Sequence, residues 1–174
     1  MAKNELKAQP CPVCLKKTLT LMEADMDVPY FGKVFLFSMK CEDKDCDFYK
    51  ADVEFEKPQN PTKYTFEITS EKDMNIRFIK SSAATVKIPH IVTISPGPDA
   101  EGYVSNIEGL LQRVKKIIEQ TRDEAEDNSD RKKAKNMLKK LQNVMWGREK
   151  LKIIVEDPTG NSAIISDKAK KTKL

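Results

Sequence analysis

The four cysteines of this chain fall as two close pairs, Cys11-Pro12-Val13-Cys14 and Cys41-Glu42-Asp43-Lys44-Asp45-Cys46. Each spacing lets a tight turn aim two thiolates at one ion, and two such turns complete a tetrahedral four-sulfur site with metal–sulfur bonds of about 2.3 Å. Four thiolates fill that coordination sphere and leave no position for water or substrate. One structural zinc ion held by Cys11, Cys14, Cys41 and Cys46 is therefore expected. Iron also suits four thiolates and is the alternative occupant. The four-residue gap in the second pair is wider than the usual two but within the range zinc sites tolerate.

Rival uses of the thiols fit less well. A redox Cys-x-x-Cys places its first thiol at a helix N-terminus, whereas Pro10 and Pro12 bracket Cys11 in what reads as a turn. Disulfides need an oxidising compartment, and Met-Ala-Lys-Asn-Glu-Leu-Lys at the start has no apolar run able to act as a signal peptide. Reduced thiols in the cytoplasm are the expectation.

A chain of 174 residues suits one ordinary domain plus a small module that leans on its metal for stability. No apolar stretch approaches the roughly 20 residues of a membrane helix, so no membrane association is expected. The formal charge of +4 falls by about 2 when four thiolates take up one divalent ion, which weakens any electrostatic case for nucleic acid.

Between the cysteine pairs, Thr18 to Met22 and Lys33 to Lys40 read as two strands separated by a turn-like Asp25-Met26-Asp27 and by Pro29, the makings of a zinc ribbon. Val34-Phe35-Leu36-Phe37 is bulky on both faces: a strand buried on both sides, or a sticky surface for a partner. From Ala51 to Ile94 the pattern stays β. Val53 and Phe55, then Tyr64, Phe66 and Ile68, alternate with polar residues, and Ile76-Arg77-Phe78-Ile79 and Val86-Lys87-Ile88 follow. Short strands punctuated by Pro and Asn suggest a sandwich or barrel.

After Val104 the period becomes helical. Ser105-Asn106-Ile107-Glu108 has the order of a capping box, and Ile107, Leu110, Leu111, Val114, Ile117 and Ile118 form one apolar stripe. A second helix is expected from a cap at Ser129, with Ala134, Met137, Leu138, Leu141, Val144 and Met145 on one face and Gly147 ending it. Together they make an antiparallel hairpin inserted in a β domain. Leu151 to Glu156 resumes as a strand, Asp157-Pro158-Thr159-Gly160 fits a type I turn, and Ala163-Ile164-Ile165 reads as the return strand. Residues 167–174, with four lysines, read as a disordered basic tail.

Catalytic signals are sparse. The one histidine, His90, falls short of a two-histidine iron site and reads as a hydrogen-bonded residue flanking a strand. Neither a phosphate-binding Gly-rich loop nor a Gly-x-Ser-x-Gly elbow occurs. Arg131, Lys132, Lys133, Lys135, Lys139 and Lys140 make the second helix basic, a solvated face or a dock for an acidic partner or RNA. Trp146 reads as an anchor of the hairpin on the β domain, with a partner contact as the alternative.

Several segments together carry a family likeness. They are the Cys-x-x-Cys knuckle, Val28-Pro29-Tyr30-Phe31, the second cysteine pair and Ser70-Glu71-Lys72-Asp73-Met74-Asn75. Ile79-Lys80-Ser81, Ala84-Thr85-Val86-Lys87-Ile88-Pro89, Glu108-Gly109-Leu110-Leu111 and Asp157-Pro158-Thr159-Gly160-Asn161-Ser162 continue it. Over about Pro10 to Ile165 the chain resembles the ZPR-type zinc-finger family, in the single-module form found in archaea. The resemblance implies a four-cysteine zinc finger joined to a double-stranded β-helix domain that carries a helical hairpin. It also implies binding to translation elongation factor 1-alpha as a folding chaperone, through the zinc finger and residues 105–146.

The expected fold class is thus α+β, mostly β. A four-cysteine zinc ribbon spans 1–56, and a jelly-roll-like β domain spans 57–166 with the hairpin at about 105–146. The expected function is that of a monomeric, non-enzymatic protein-interaction factor. The alternative is a zinc-ribbon nucleic-acid-binding protein in transcription or RNA metabolism. An enzyme using the β domain as a pocket is a third reading, without a motif behind it.

Overall fold

The computed structural model describes residues 3–29, 32–57 and 59–174. The first sheet is an antiparallel meander of β1 (Lys3–Gln9), β2 (Leu19–Val28), β3 (Gly32–Cys41) and β4 (Tyr49–Phe55). It holds the cysteines near one end. β2 runs through Asp25-Met26-Asp27, where a turn was expected, because these residues pair with Phe35, Val34 and Lys33 and the ladder outweighs their turn preference. The turn comes at Pro29 instead; Tyr30 and Phe31 of the family-like segment lie outside the described residues.

The next strands are β5 (Thr62–Ile68), β6 (Arg77–Lys80), β7 (Thr85–Ile88), β8 (Val92–Ile94) and β9 (Tyr103–Asn106), with a short 3-10 turn at Glu71–Asn75. Two helices follow, α1 (Ile107–Glu124) and α2 (Asn128–Met145), then β10 (Leu151–Asp157), β11 (Ala163–Ile164) and β12 (Lys170–Lys173). These strands form two sheets, ordered β12-β5-β10-β7-β8 and β11-β6-β9. Alternation sets the buried faces: Tyr64, Phe66 and Ile68 on β5, Ile153 and Val155 on β10, and Val86 and Ile88 on β7 all point inward. Phe78, Ile79, Ala163 and Ile164 of the smaller sheet join the same apolar cluster, as do Leu110, Leu111 and Val114 of α1 and Leu141 and Val144 of α2. Burying each large side chain contributes about 1.5–3 kcal/mol, which makes this cluster the main source of stability. The chain is α+β and mostly β, as its pattern indicates.

Several local expectations change in three dimensions. Ser105 still pairs with Phe78 in β9, so the cap of α1 moves to Asn106, whose Oδ1 accepts from the Gly109 amide at 2.7 Å. α2 begins at Asn128 after Asp127 rather than after Ser129. Ile117 of the α1 stripe remains 41% exposed. β11 does not return along β10; it crosses to pair with β6. Trp146 is 53% exposed with the Arg148 guanidinium 4.6 Å from its ring centre, so it does not anchor the hairpin. The basic segment is ordered from Lys170 to Lys173 as a strand on β5, whose edge backbone groups take up its hydrogen bonds.

The meander joins the jelly-roll strands through β4. Asp52 accepts from the Ser82 amide at 2.8 Å and from the Ser82 hydroxyl, and Asn161 Oδ1 accepts from the Phe55 amide at 3.2 Å. The Gly102 amide donates to Ala51 O at 2.8 Å; a Cβ at Gly102 would lie 2.2 Å from Asp52 Oδ1 and 2.8 Å from the Asp52 Cα, so only glycine fits this approach. Asn161 is aimed by its own turn. Asp157, fully buried, accepts from the hydroxyls of Ser81 at 2.7 Å and Thr159 at 2.7 Å, and from Ser162, while the Gly160 amide closes onto Asp157 O at 3.2 Å. No helix among the described residues is long and apolar enough to cross a membrane.

Candidate metal centre

Two backbone turns deliver the four cysteines. In the first, the Leu15 amide donates to Cys11 O and the Cys11 amide to Lys16 O, both at 2.9 Å, with Leu15 in the left-handed region at φ 61°. In the second, the Cys46 amide donates to Asp43 O at 3.1 Å and the Asp45 amide to Asp43 Oδ1 at 3.0 Å. Asp43 thus folds the two extra residues of the wide pair into a compact loop. The Glu42 amide reaches Thr18 O at 2.8 Å and binds the second turn to the start of β2.

The four Sγ atoms lie within 4.8 Å of one another; Cys11 and Cys46 are 3.8 Å apart, and Cys14 and Cys41 are 3.7 Å apart. A tetrahedron with metal–sulfur bonds of about 2.3 Å requires sulfurs about 3.8 Å apart. The donor set fits one zinc ion. Cys11, Cys41 and Cys46 are buried and Cys14 partly so, with Leu19 beside them and Leu21, Met39 and Phe48 packed around. When bound, a zinc ion here crosslinks two turns through four thiolates; the chain itself fixes their positions.

The thiols differ in their hold on protons. The Lys16 amide holds Cys14 down to about 7, against burial and with help from the Thr18 hydroxyl. The Phe48 amide favours a thiolate at Cys46, but burial and the neighbouring cysteines push it up to about 12. A divalent cation removes that conflict by favouring all four thiolates together. Thr18 Oγ1 lies 3.2 Å from Cys41 Sγ and 3.8 Å from Cys14 Sγ, so its hydroxyl can orient one sulfur at a time. Lys16 Nζ sits 2.6 Å from Asp43 Oδ2 and straps one knuckle to the other. That hydrogen bond, backed by the Asp45 amide, holds the Asp43 carboxyl below its usual range.

Thr18, Lys16 and Asp43 carried no signal of their own in the sequence, because their roles depend on two knuckles meeting. The other candidates lie elsewhere: His90 is exposed in the turn between β7 and β8 at φ 64°, and Arg131, Lys132, Lys135 and Lys139 are exposed along α2. Val34 is buried against the core, while Phe35 and Phe37 stack on the opposite face, ring centres 6.3 Å apart. On that face Phe37, with Leu6 across the sheet, is exposed.

Residues 72–174, more than half of the chain, match the model of the ZPR1 jelly-roll domain. The chain belongs to the ZPR1 family. It is 41% identical over 159 residues to an uncharacterized ZPR1-like protein of Methanocaldococcus jannaschii, covering 90% of this chain and 79% of that one. A second ZPR1-like protein, from Pyrococcus horikoshii, is 36% identical over 98% of this chain and 78% of its own length. A zinc finger chaperone of Schizosaccharomyces pombe is 29% identical over 88% of this chain, which spans only 33% of that longer protein. This distribution fits the single-module, archaeal-like form.

Proposed function

We propose that this protein is a non-enzymatic, zinc-binding interaction factor that binds translation elongation factor 1-alpha in the cytoplasm and chaperones its folding. Cys11, Cys14, Cys41 and Cys46 are the zinc ligands, the ribbon over 1–56 and the β domain over 57–166 are its two working parts, and it acts as a monomer. The observation that carries this reading is the closed set of four sulfurs at tetrahedral spacing. Such a site supplies rigidity and no open coordination position. The exposed apolar side chains on the adjoining sheet, Leu6, Phe37 and Tyr49, support a role in holding another protein. The name of the S. pombe relative as a zinc finger chaperone points the same way.

The test mixes the zinc-loaded protein with elongation factor 1-alpha of the same organism, with GDP and with GTP, and reads complex formation by size-exclusion chromatography with light scattering. A stoichiometric complex that disappears on Cys41→Ser is the expected result; no complex in either nucleotide state ends the proposal. The exposed basic residues of α2 favour RNA as a second reading. It predicts RNA binding that weakens steeply with salt and with Lys132→Ala and Lys139→Ala.

A further inference from the structure

Four thiolates on one divalent ion leave a surplus of about two negative charges. In a site that is mostly buried, that surplus is stabilised by donors aimed at the sulfurs, because an unpaired charge away from water is costly. Backbone turns meet part of the need: the Lys16 amide serves Cys14 and the Phe48 amide serves Cys46. Cys41 opens the wide pair, and the donor beside its sulfur is a side chain, the Thr18 hydroxyl at 3.2 Å.

Local structure fixes Thr18 in that place. Its carbonyl accepts from the Glu42 amide at 2.8 Å, and the following residue, Leu19, is buried and pairs with Cys41 across the β2–β3 ladder. Thr18 therefore stands at a set distance from Cys41 rather than on a free loop. Among the described residues the hydrogen-bond partners of its hydroxyl are sulfurs alone, Cys41 Sγ at 3.2 Å and Cys14 Sγ at 3.8 Å. Thr18 and Cys14 are half-buried, whereas Cys11, Cys41 and Cys46 are buried. The hydroxyl thus lies at the edge of the site that solvent reaches.

We propose that Thr18 is a positioning residue of the metal centre, whose hydroxyl donates to the Cys41 thiolate, draws charge from it and slows loss of the metal at the Cys14–Cys41 edge. A thiolate that accepts a hydrogen bond competes less well for protons and other electrophiles, so it is drawn off an ion less readily. The same bond fixes the direction of the Cys41 sulfur, as outer-shell partners of metal ligands do. This inference rests on the assignment of the four cysteines as zinc ligands and does not depend on the client's identity.

The test compares the zinc-loaded full chain with Thr18→Val, which keeps the branched shape and loses the hydroxyl, and with Thr18→Ser, which keeps the hydroxyl and loses the methyl. Zinc per chain is measured first. Zinc transfer to a coloured chelator is then timed, and the sulfur-to-metal charge-transfer band of the cobalt(II)-substituted proteins is recorded. Thr18→Val should hand over zinc about tenfold faster than the parent, with the band moved to longer wavelength because the Cys41 sulfur has lost its donor, while Thr18→Ser stays within about twofold of the parent. Thr18→Ala, also without a hydroxyl, carries the same expectation should Thr18→Val not fold. A parent-like Thr18→Val overturns the proposal. So does a Thr18→Ser as impaired as Thr18→Val, which makes the packing of the methyl group the cause, or faster transfer with an unmoved band. A parent chain without one equivalent of zinc defeats the ligand assignment as well; a parent with zinc and an unaffected Thr18→Val defeats this inference alone.

Discussion

The metal-binding end of the first sheet and the jelly-roll core hold themselves together by different means. Around the cysteines Leu19 is the buried apolar residue, with Leu21, Met39 and Phe48 half-buried beside it. The jelly-roll cluster draws on both of its sheets, both helices and the inner face of the meander through Val28, Val34, Val53 and Phe55. A patch as small as the first offers too little apolar burial to offset chain entropy, so a four-sulfur crosslink takes that place. The larger cluster meets the same cost with side chains alone. One chain thus shows two answers to the same problem, selected by how much surface each region can bury.

The sharpest way to break this contrast is Cys41→Ser. Structural zinc sites bind with about 10–16 kcal/mol at neutral pH, so zinc content should fall from one equivalent to none and the knuckles should lose their dispersed NMR signals while those of β5, β10 and α1 stay native-like. Phe66→Ala, at a fully buried position, should do the converse. A loss of about 3–5 kcal/mol in denaturant unfolding is expected, with zinc stoichiometry unchanged in the folded fraction.

Asp73 sharpens the comparison through pH. Burial alone would raise its carboxyl, but the Lys168 ammonium and the Thr69 and Ser70 amides hold it down to about 2. A folded value below the unfolded one gives stability that is full above about pH 4 and is lost as pH falls towards 2. Asp73→Asn should remove that dependence and cost on the order of 1–2 kcal/mol, since solvent reaches Lys168; unfolding measured from pH 6 to pH 2 checks both. The smallest effect is expected at the junction of the two regions. Asn161→Ala removes one acceptor from the Phe55 amide and should cost about 1 kcal/mol, read as increased mobility of the meander relative to β10 in NMR relaxation, with zinc content intact.

What was legible in the sequence is what short-range chemistry controls. The cysteine pairs, the alternation of β5 and the apolar stripe of α1 each repeat over a few residues, and each is found where its period places it, save for Ile117, which stays exposed. The Asp157 turn was legible too, with Gly160 at φ 74°. Its purpose was not: the buried Asp157 carboxylate gathers hydroxyls from Ser81 and Ser162, and Asn161 reaches a strand 106 residues away. Asp25-Met26-Asp27 misled because local turn preference is weaker than a continuous ladder with β3, which is itself held by β4 on its other side. Trp146 misled because an apolar ring at a helix end can lie under a guanidinium in solvent as well as in a core.

By itself the sequence determined the donor set for one metal ion, the mostly β class and the place of the two helices, since residue type and spacing suffice for each. Tertiary structure decided how the two knuckles face each other, where β11 goes and that Lys170 to Lys173 forms a strand at all. The physical reason is that a lysine-rich segment with nothing to bury has no local preference for order. Order came from the open backbone edge of β5, about a hundred residues earlier in the chain.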